Sequence, residues 1–143
     1  MSTRPADSTS EISGMVQEVN DRKKRILVVD DEPSVRQVVG RILAHRGYES
    51  TLAHSVDHAI QHLSEQTYSL IISDHKMPMK TGEDLYHFVA DSHPELIEKF
   101  ILITGFALDP AARRFIEETN VRVLEKPFDL SKLIELVELL LKK

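Results

Sequence analysis

Not one of the 143 residues is cysteine, which excludes a disulfide scaffold, a thiolate zinc site and a cysteine nucleophile. Long apolar runs are missing too. Stretches such as Ile26–Val29 and Ile101–Ile103 fall far short of the roughly 18 residues that a membrane span needs. The N-terminus lacks the apolar segment of a secretory signal. Cations are outnumbered, 18 Lys and Arg against 23 Asp and Glu, for a formal charge of −5. A face built for phosphate backbones has the opposite balance, so no direct nucleic-acid partner is expected. The chain reads as soluble, with the cytoplasm as its default compartment and no membrane contact.

The length fits one domain plus a tail, and an apolar fraction of 41% is enough for a core once the tail is set aside. Residues 1–24 read as a flexible N-terminal extension. Met1 to Ser10 is mostly Ser, Thr, Asp, Pro and Arg, a composition that buries too little surface to order itself. Ile12, Met15, Val16 and Val19 then follow a helical period, interrupted by Gly14. So short a segment is either frayed or docked on something. Lys23, Lys24 and Arg25 read as a solvated lead into a strand.

From Arg25 onward short apolar runs alternate with amphipathic stretches. Ile26-Leu27-Val28-Val29 is a β-branched run of strand length, ending on Asp30-Asp31. Pro33 suits a first helical turn, Val35, Val38, Val39, Ile42 and Leu43 form one stripe, and Gly47 closes the helix. A weaker strand spans Tyr48 to Ala53, and Ser55 caps a helix with Val56, Ala59, Ile60 and Leu63 inward. A third strand, Ser69–Ser73, runs into Asp74, and a loop with Met77-Pro78 and Gly82 leads to a helix carrying Leu85, Phe88 and Val89. Phe100–Ile103 ends on Thr104, and Asp109-Pro110 opens a helix with Ala112, Phe115 and Ile116. Val121–Leu124 precedes Lys126-Pro127, and Asp129 caps a last helix from Leu130 to about Leu141. Five strands alternating with five helices predict an α/β, doubly wound, parallel five-stranded sheet.

Sites in such sheets lie at the carboxyl ends of the strands. Here those ends carry Asp30, Asp31, Asp74, Thr104 and Lys126. Each has an ordinary reading as a cap, a turn former or an exposed lysine. Their joint occurrence at successive strand ends favours a site. Three carboxylates at one edge repel one another unless a cation joins them. Oxygen donors without cysteine point to magnesium. Lys126 adds a point charge suited to a phosphoryl oxygen, and Thr104 a hydroxyl donor.

Leu27-Val28-Val29-Asp30-Asp31-Glu32-Pro33, Asp74 with Met77-Pro78 and Gly82, Thr104-Gly105 and Lys126-Pro127-Phe128 together resemble the receiver domain of bacterial two-component response regulators. The likeness covers residues 25–143, in order and spacing, and implies the flavodoxin-like receiver fold. It implies that Asp74 is the phosphoacceptor and that Asp30 and Asp31 hold magnesium, Asp31 directly and Asp30 partly through water. The backbone carbonyl of Lys76 would be a further ligand beside Asp74. Lys126 would contact the phosphoryl group, and Thr104 would be the switch hydroxyl. The implied donor is a phosphohistidine on a sensor histidine kinase or a histidine phosphotransfer protein. Phosphorylation adds roughly −1.5 to −2 units of charge and biases a two-state surface on the last two helices and the fifth strand, which a downstream protein target reads. The chain would catalyse only its own phosphorylation and dephosphorylation.

The sequence departs from the family in places. The position three residues before the lysine, often Tyr or Phe, is Val123, so the aromatic half of the switch is missing, with Phe106 a candidate substitute. Lys76 and Phe106, two residues after Asp74 and Thr104, stand where access of hydrolytic water is controlled, and slow autodephosphorylation is expected. Two rival readings are a magnesium-dependent aspartyl-phosphate phosphatase and an unphosphorylated receiver-like scaffold. The phosphatase chemistry wants an Asp-x-Asp pair, and here the pair is adjacent. The scaffold has no need of all five site residues. The initial Met and polar tail favour a stand-alone protein over an excised receiver.

Two features lie outside that account. Among seven histidines, His54, His58 and His62 share helical spacing, which reads as a solvated face with a metal face as the alternative. The last helix carries Leu130, Leu133, Ile134, Leu136, Val137, Leu139, Leu140 and Leu141, more than one core stripe. A broad packed face and a homodimer surface account for it equally well.

Overall fold

The structure, a computed structural model, describes residues 23–105 and 109–142. The expected N-terminal extension, apart from Lys23 and Lys24, and Phe106 lie outside the described residues. Strands β1 (Arg25–Val29), β2 (Glu49–Ala53), β3 (Leu70–Asp74), β4 (Phe100–Thr104) and β5 (Arg122–Glu125) alternate with helices α1 (Pro33–His45), α2 (Val56–Glu65), α3 (Gly82–Ser92), α4 (Pro110–Thr119) and α5 (Leu130–Leu141). The sheet has the order β2-β1-β3-β4-β5, and every pairing is parallel. The expected doubly wound fold is present.

Successive strand residues point to opposite faces, so each strand feeds two cores. Leu27, Val29, Ile71, Phe100 and Leu102 pack with Val56, Ala59 and Leu63 of α2, Leu85 and Val89 of α3, and Phe115 of α4. Ile26, Val28, Leu70, Ile72, Ile101 and Ile103 pack with Val39 and Leu43 of α1 and Leu133, Ile134 and Val137 of α5. Burial on both faces explains the unbroken apolar runs of β1, β3 and β4. Each fully buried Leu, Ile or Phe contributes about 1.5–3 kcal/mol.

Local signals set the boundaries. Gly47, at φ +90°, ends α1, while Gly47 N–H donates to the Ala44 carbonyl and Tyr48 N–H to that of Leu43, both at 3.0 Å. Ser55 accepts the His58 N–H at 3.0 Å and Asp109 the Ala112 N–H at 2.7 Å, as their positions predict. Thr81 and Asp84 form a reciprocal capping box on α3. Asp129 occupies the cap position of α5, but its side chain makes no capping hydrogen bond. A 3₁₀ turn at Pro94–Lys99, not foreseen, seats Leu96 in the core before β4. β3 extends to Asp74 and β5 to Glu125, each slightly beyond the sequence expectation.

Candidate functional site

The registers bring the strand ends to one edge. Val29 pairs with both Ala53 and Ser73, Asp74 with Ile103, and Thr104 with Glu125. β1 therefore lies between β2 and β3, and the crevice of a doubly wound sheet opens beside it. Asp30 and Asp31 leave β1 next to Asp74 of β3. One carboxylate oxygen from each of the three lies within 4.8 Å of the others. Lys126 reaches across from the end of β5 and places Nζ 3.0 Å from Asp74 Oδ1. Its own N–H donates to the Thr104 carbonyl at 2.8 Å, which ties the β5 exit to β4. The structure thus brings Asp30, Asp31, Asp74 and Lys126 together, with Thr104 on the neighbouring strand end.

Burial sets the electrostatics. Asp30 is 2% exposed and Asp74 6%. Burial pushes Asp30 up to about 6, against the lowering effect of the Glu32 N–H, with Asp74 adding repulsion. That N–H donates to Asp30 Oδ1 at 2.9 Å. Burial also raises Asp74, opposed by the hydrogen bond and charge of Lys126. Burial pulls the Lys126 ammonium down, but Asp74, Asp30 and Glu32 together hold it above its ordinary value. Three carboxylates meet there, and among the described residues Lys126 is the cation paired with them. The donor set is hard oxygen with no nitrogen or sulfur, so it fits magnesium better than zinc. Lys76 is exposed on the loop after β3.

Three features escaped the sequence. Gly82 is required by packing: a Cβ there would lie 2.6 Å from the Asp74 carbonyl oxygen and 2.7 Å from Leu102 Cδ1. Its N–H donates to the His75 carbonyl at 2.8 Å, so α3 starts against the end of β3. Arg36 of α1 donates to the Asp30 carbonyl at 2.8 Å. Nothing in the sequence sets Arg36 apart from other helical cations. Finally, Thr104 Oγ1 and His75 Nδ1 are buried with no hydrogen-bond partner among the described residues. The periodicity of β3 gave no warning that a histidine would follow Asp74 into the interior.

Residues 26–138 match the family model of the response regulator receiver domain. The chain belongs to that family. The response regulator receiver protein CpdR of Brucella abortus is 31% identical over 118 residues, 82% of this chain and 97% of that protein. The sensor kinase CckA of the same organism is 33% identical over 120 residues, which are 82% of this chain but 12% of the kinase. The regulator PilR of Pseudomonas aeruginosa is likewise matched over 25% of its length. A CheY-like receiver domain from Methanospirillum hungatei superposes with a TM-score of 0.77 at 25% identity, covering 85% of this chain and 95% of that one. A receiver protein from Pseudomonas putida gives 0.74 at 29% identity, covering 82% and 97%. This receiver domain is a two-component signalling domain, of a family that generally binds magnesium at an acidic pocket. No helix among its described residues is long and apolar enough to cross a membrane.

Proposed function

We propose that this receiver domain takes a phosphoryl group onto Asp74 from a phosphohistidine, and that Asp30, Asp31, Asp74 and the Lys76 carbonyl hold magnesium beside it. The observation that carries the reading is the meeting of three carboxylates within 4.8 Å with Lys126 Nζ 3.0 Å from Asp74. An Asp74 oxygen forms the new bond to phosphorus as the bond to the donor's imidazole nitrogen breaks, and the electron pair leaves with the imidazole. Lys126 orients Asp74 and places positive charge where the phosphoryl oxygens arrive. Bound magnesium supplies charge neutralisation for the carboxylates and those oxygens. Thr104 offers its hydroxyl, which has no partner among the described residues, to the product, and the β4 exit moves with it. The domain catalyses only its own phosphorylation and dephosphorylation.

A sensor histidine kinase or histidine phosphotransfer protein is the proposed donor. An open groove of about 690 Å³, lined by Val35, Val38, Lys126, Pro127 and Phe128 among others, adjoins the site. A donor covering it would shield the transfer from water. Leu139 of α5 is 56% exposed and is the anchor we assign to a homodimer contact. The phosphorylated surface is read by a downstream protein target.

The test is intact mass after incubation with acetyl phosphate and magnesium. One added phosphoryl group on the wild type and none on Asp74→Asn is expected. Equal labelling of both proteins would reject Asp74 as the acceptor, and no labelling of either would favour a scaffold. Steady hydrolysis of small phosphate esters would favour a phosphatase.

A further inference from the structure

We infer that His58 and His62 of α2 form a second, separate metal site, one that takes a borderline divalent cation such as Zn²⁺, Ni²⁺ or Cu²⁺ rather than magnesium. His58 and His62 are half-buried on the flank of α2, beside the core stripe of Val56, Ala59 and Leu63. Their Nε2 atoms lie 3.1 Å apart. Two imidazoles at the usual metal–nitrogen distance of about 2.0–2.1 Å would be that far apart at an angle of about 98°. That value lies between octahedral and tetrahedral geometry, so one ion can take both nitrogens without moving the helix. The i, i+4 spacing fixes the pair to a single rigid element. Ser55 accepts the His58 N–H at 3.0 Å and anchors the first turn.

At rest the two rings are held together by a proton that a metal ion must displace. His58 Nδ1 accepts the His54 N–H at 3.2 Å, which places the neutral ring's proton on Nε2 and lets it bridge to His62. The ring of His54 lies tilted against His58 at a centroid distance of 4.1 Å. A cation entering between the two Nε2 atoms takes the place of that bridging proton. The proton moves to Nδ1, and the exposed His54 N–H turns to water. Burial, the neighbouring His54 and His62, and Arg36 of α1 hold His58 below its ordinary pKa, with Glu65 opposing. The ring therefore remains neutral and able to donate at neutral pH. His54 packs its tilted ring against His58, and the remaining positions of the ion would be left to water. Imidazole pairs select these metals over magnesium, which prefers oxygen donors such as Asp30, Asp31 and Asp74.

The test is zinc titration of the full chain in saturating magnesium, read by calorimetry and by long-range ¹⁵N correlation spectra of the histidine rings. One equivalent should bind, with both Nε2 resonances moving, and the thermal midpoint should rise with zinc. His62→Gln and His58→Gln should each remove the saturable isotherm and the thermal shift. Asp31→Asn, and His87→Gln on α3, should leave both in place. Zinc binding that survives the two α2 substitutions, or is lost in Asp31→Asn, would overturn the proposal. So would the absence of saturable binding to the wild type.

Discussion

Lys126 Nζ lies 3.0 Å from Asp74 Oδ1, although Asp74 ends β3 and Lys126 follows β5, with β4 between the two strands. The ammonium that would meet an incoming phosphoryl oxygen already holds the proposed acceptor. Its removal should have two separable effects. In Lys126→Gln, phosphoryl uptake from acetyl phosphate should slow on the order of 10²-fold, the usual effect of losing one preorganised charge donor. The Asp74 carboxyl should also titrate higher, because burial would act without the opposing ammonium. Time-resolved intact mass reads the first effect and carboxyl ¹³C titration the second. An unchanged uptake rate would remove Lys126 from the chemistry.

Asp30 makes stability depend on pH when no divalent cation is present. Its folded pKa of about 6 stands above the ordinary 3.8, so the ionised group favours the unfolded chain. Below the lower value it is protonated in both states and has no effect. As pH rises through the higher value, destabilisation approaches about 3 kcal/mol. Urea unfolding in chelator should therefore show wild type losing stability between pH 4 and pH 7. Asp30→Asn should flatten that profile and gain stability at pH 7, and magnesium should restore the wild type while adding less to the variant. Parallel pH profiles for the two proteins would contradict the assignment.

The fold was legible because burial on both faces leaves an unambiguous trace. The runs at Ile26–Val29 and Phe100–Ile103 read as central strands for the same reason that their residues fill both cores. The cluster of Asp30, Asp31 and Asp74 was legible because apolar runs stopped on charge at the ends that a doubly wound sheet brings together. Contacts across the chain were not. Arg36 meets the Asp30 carbonyl, and the identity of Gly82 is set by Asp74 and Leu102. Met79 adopts φ 75° while 99% exposed, a conformation usually left to glycine or asparagine. Asp129 looked like a cap, yet its side chain makes no capping bond.

Gly82 transmits the position of α3 to the end of β3. A methyl group there would press on the Asp74 carbonyl oxygen and on Leu102, and neither the strand backbone nor a fully buried leucine can yield cheaply. Gly82→Ala should cost about 1–3 kcal/mol, as overpacking does, measured by urea unfolding. Phosphoryl uptake should slow in the same protein, since the displaced backbone belongs to Asp74. A variant with wild-type stability would show that α3 can shift freely.

Thr104 should separate uptake from response. Its hydroxyl sits in a site that is 1% exposed and has no partner among the described residues. An unsatisfied buried hydroxyl costs about 1–3 kcal/mol. Thr104→Val, similar in shape, should therefore keep or raise the thermal midpoint of the resting domain. In the proposed reaction the hydroxyl gains an acceptor when phosphoryl oxygens arrive at Asp74. Beryllofluoride, standing in for that group, should then raise the midpoint of wild type more than that of Thr104→Val. Uptake onto Asp74 should proceed at a similar rate in both, because Lys126 and the carboxylates are untouched. Amide shifts along β5 and α5 on adding beryllofluoride should shrink in the variant if the hydroxyl draws the β4 exit inward. Equal midpoint gains and equal shifts in the two proteins would mean that the phosphoryl signal leaves the site by another route.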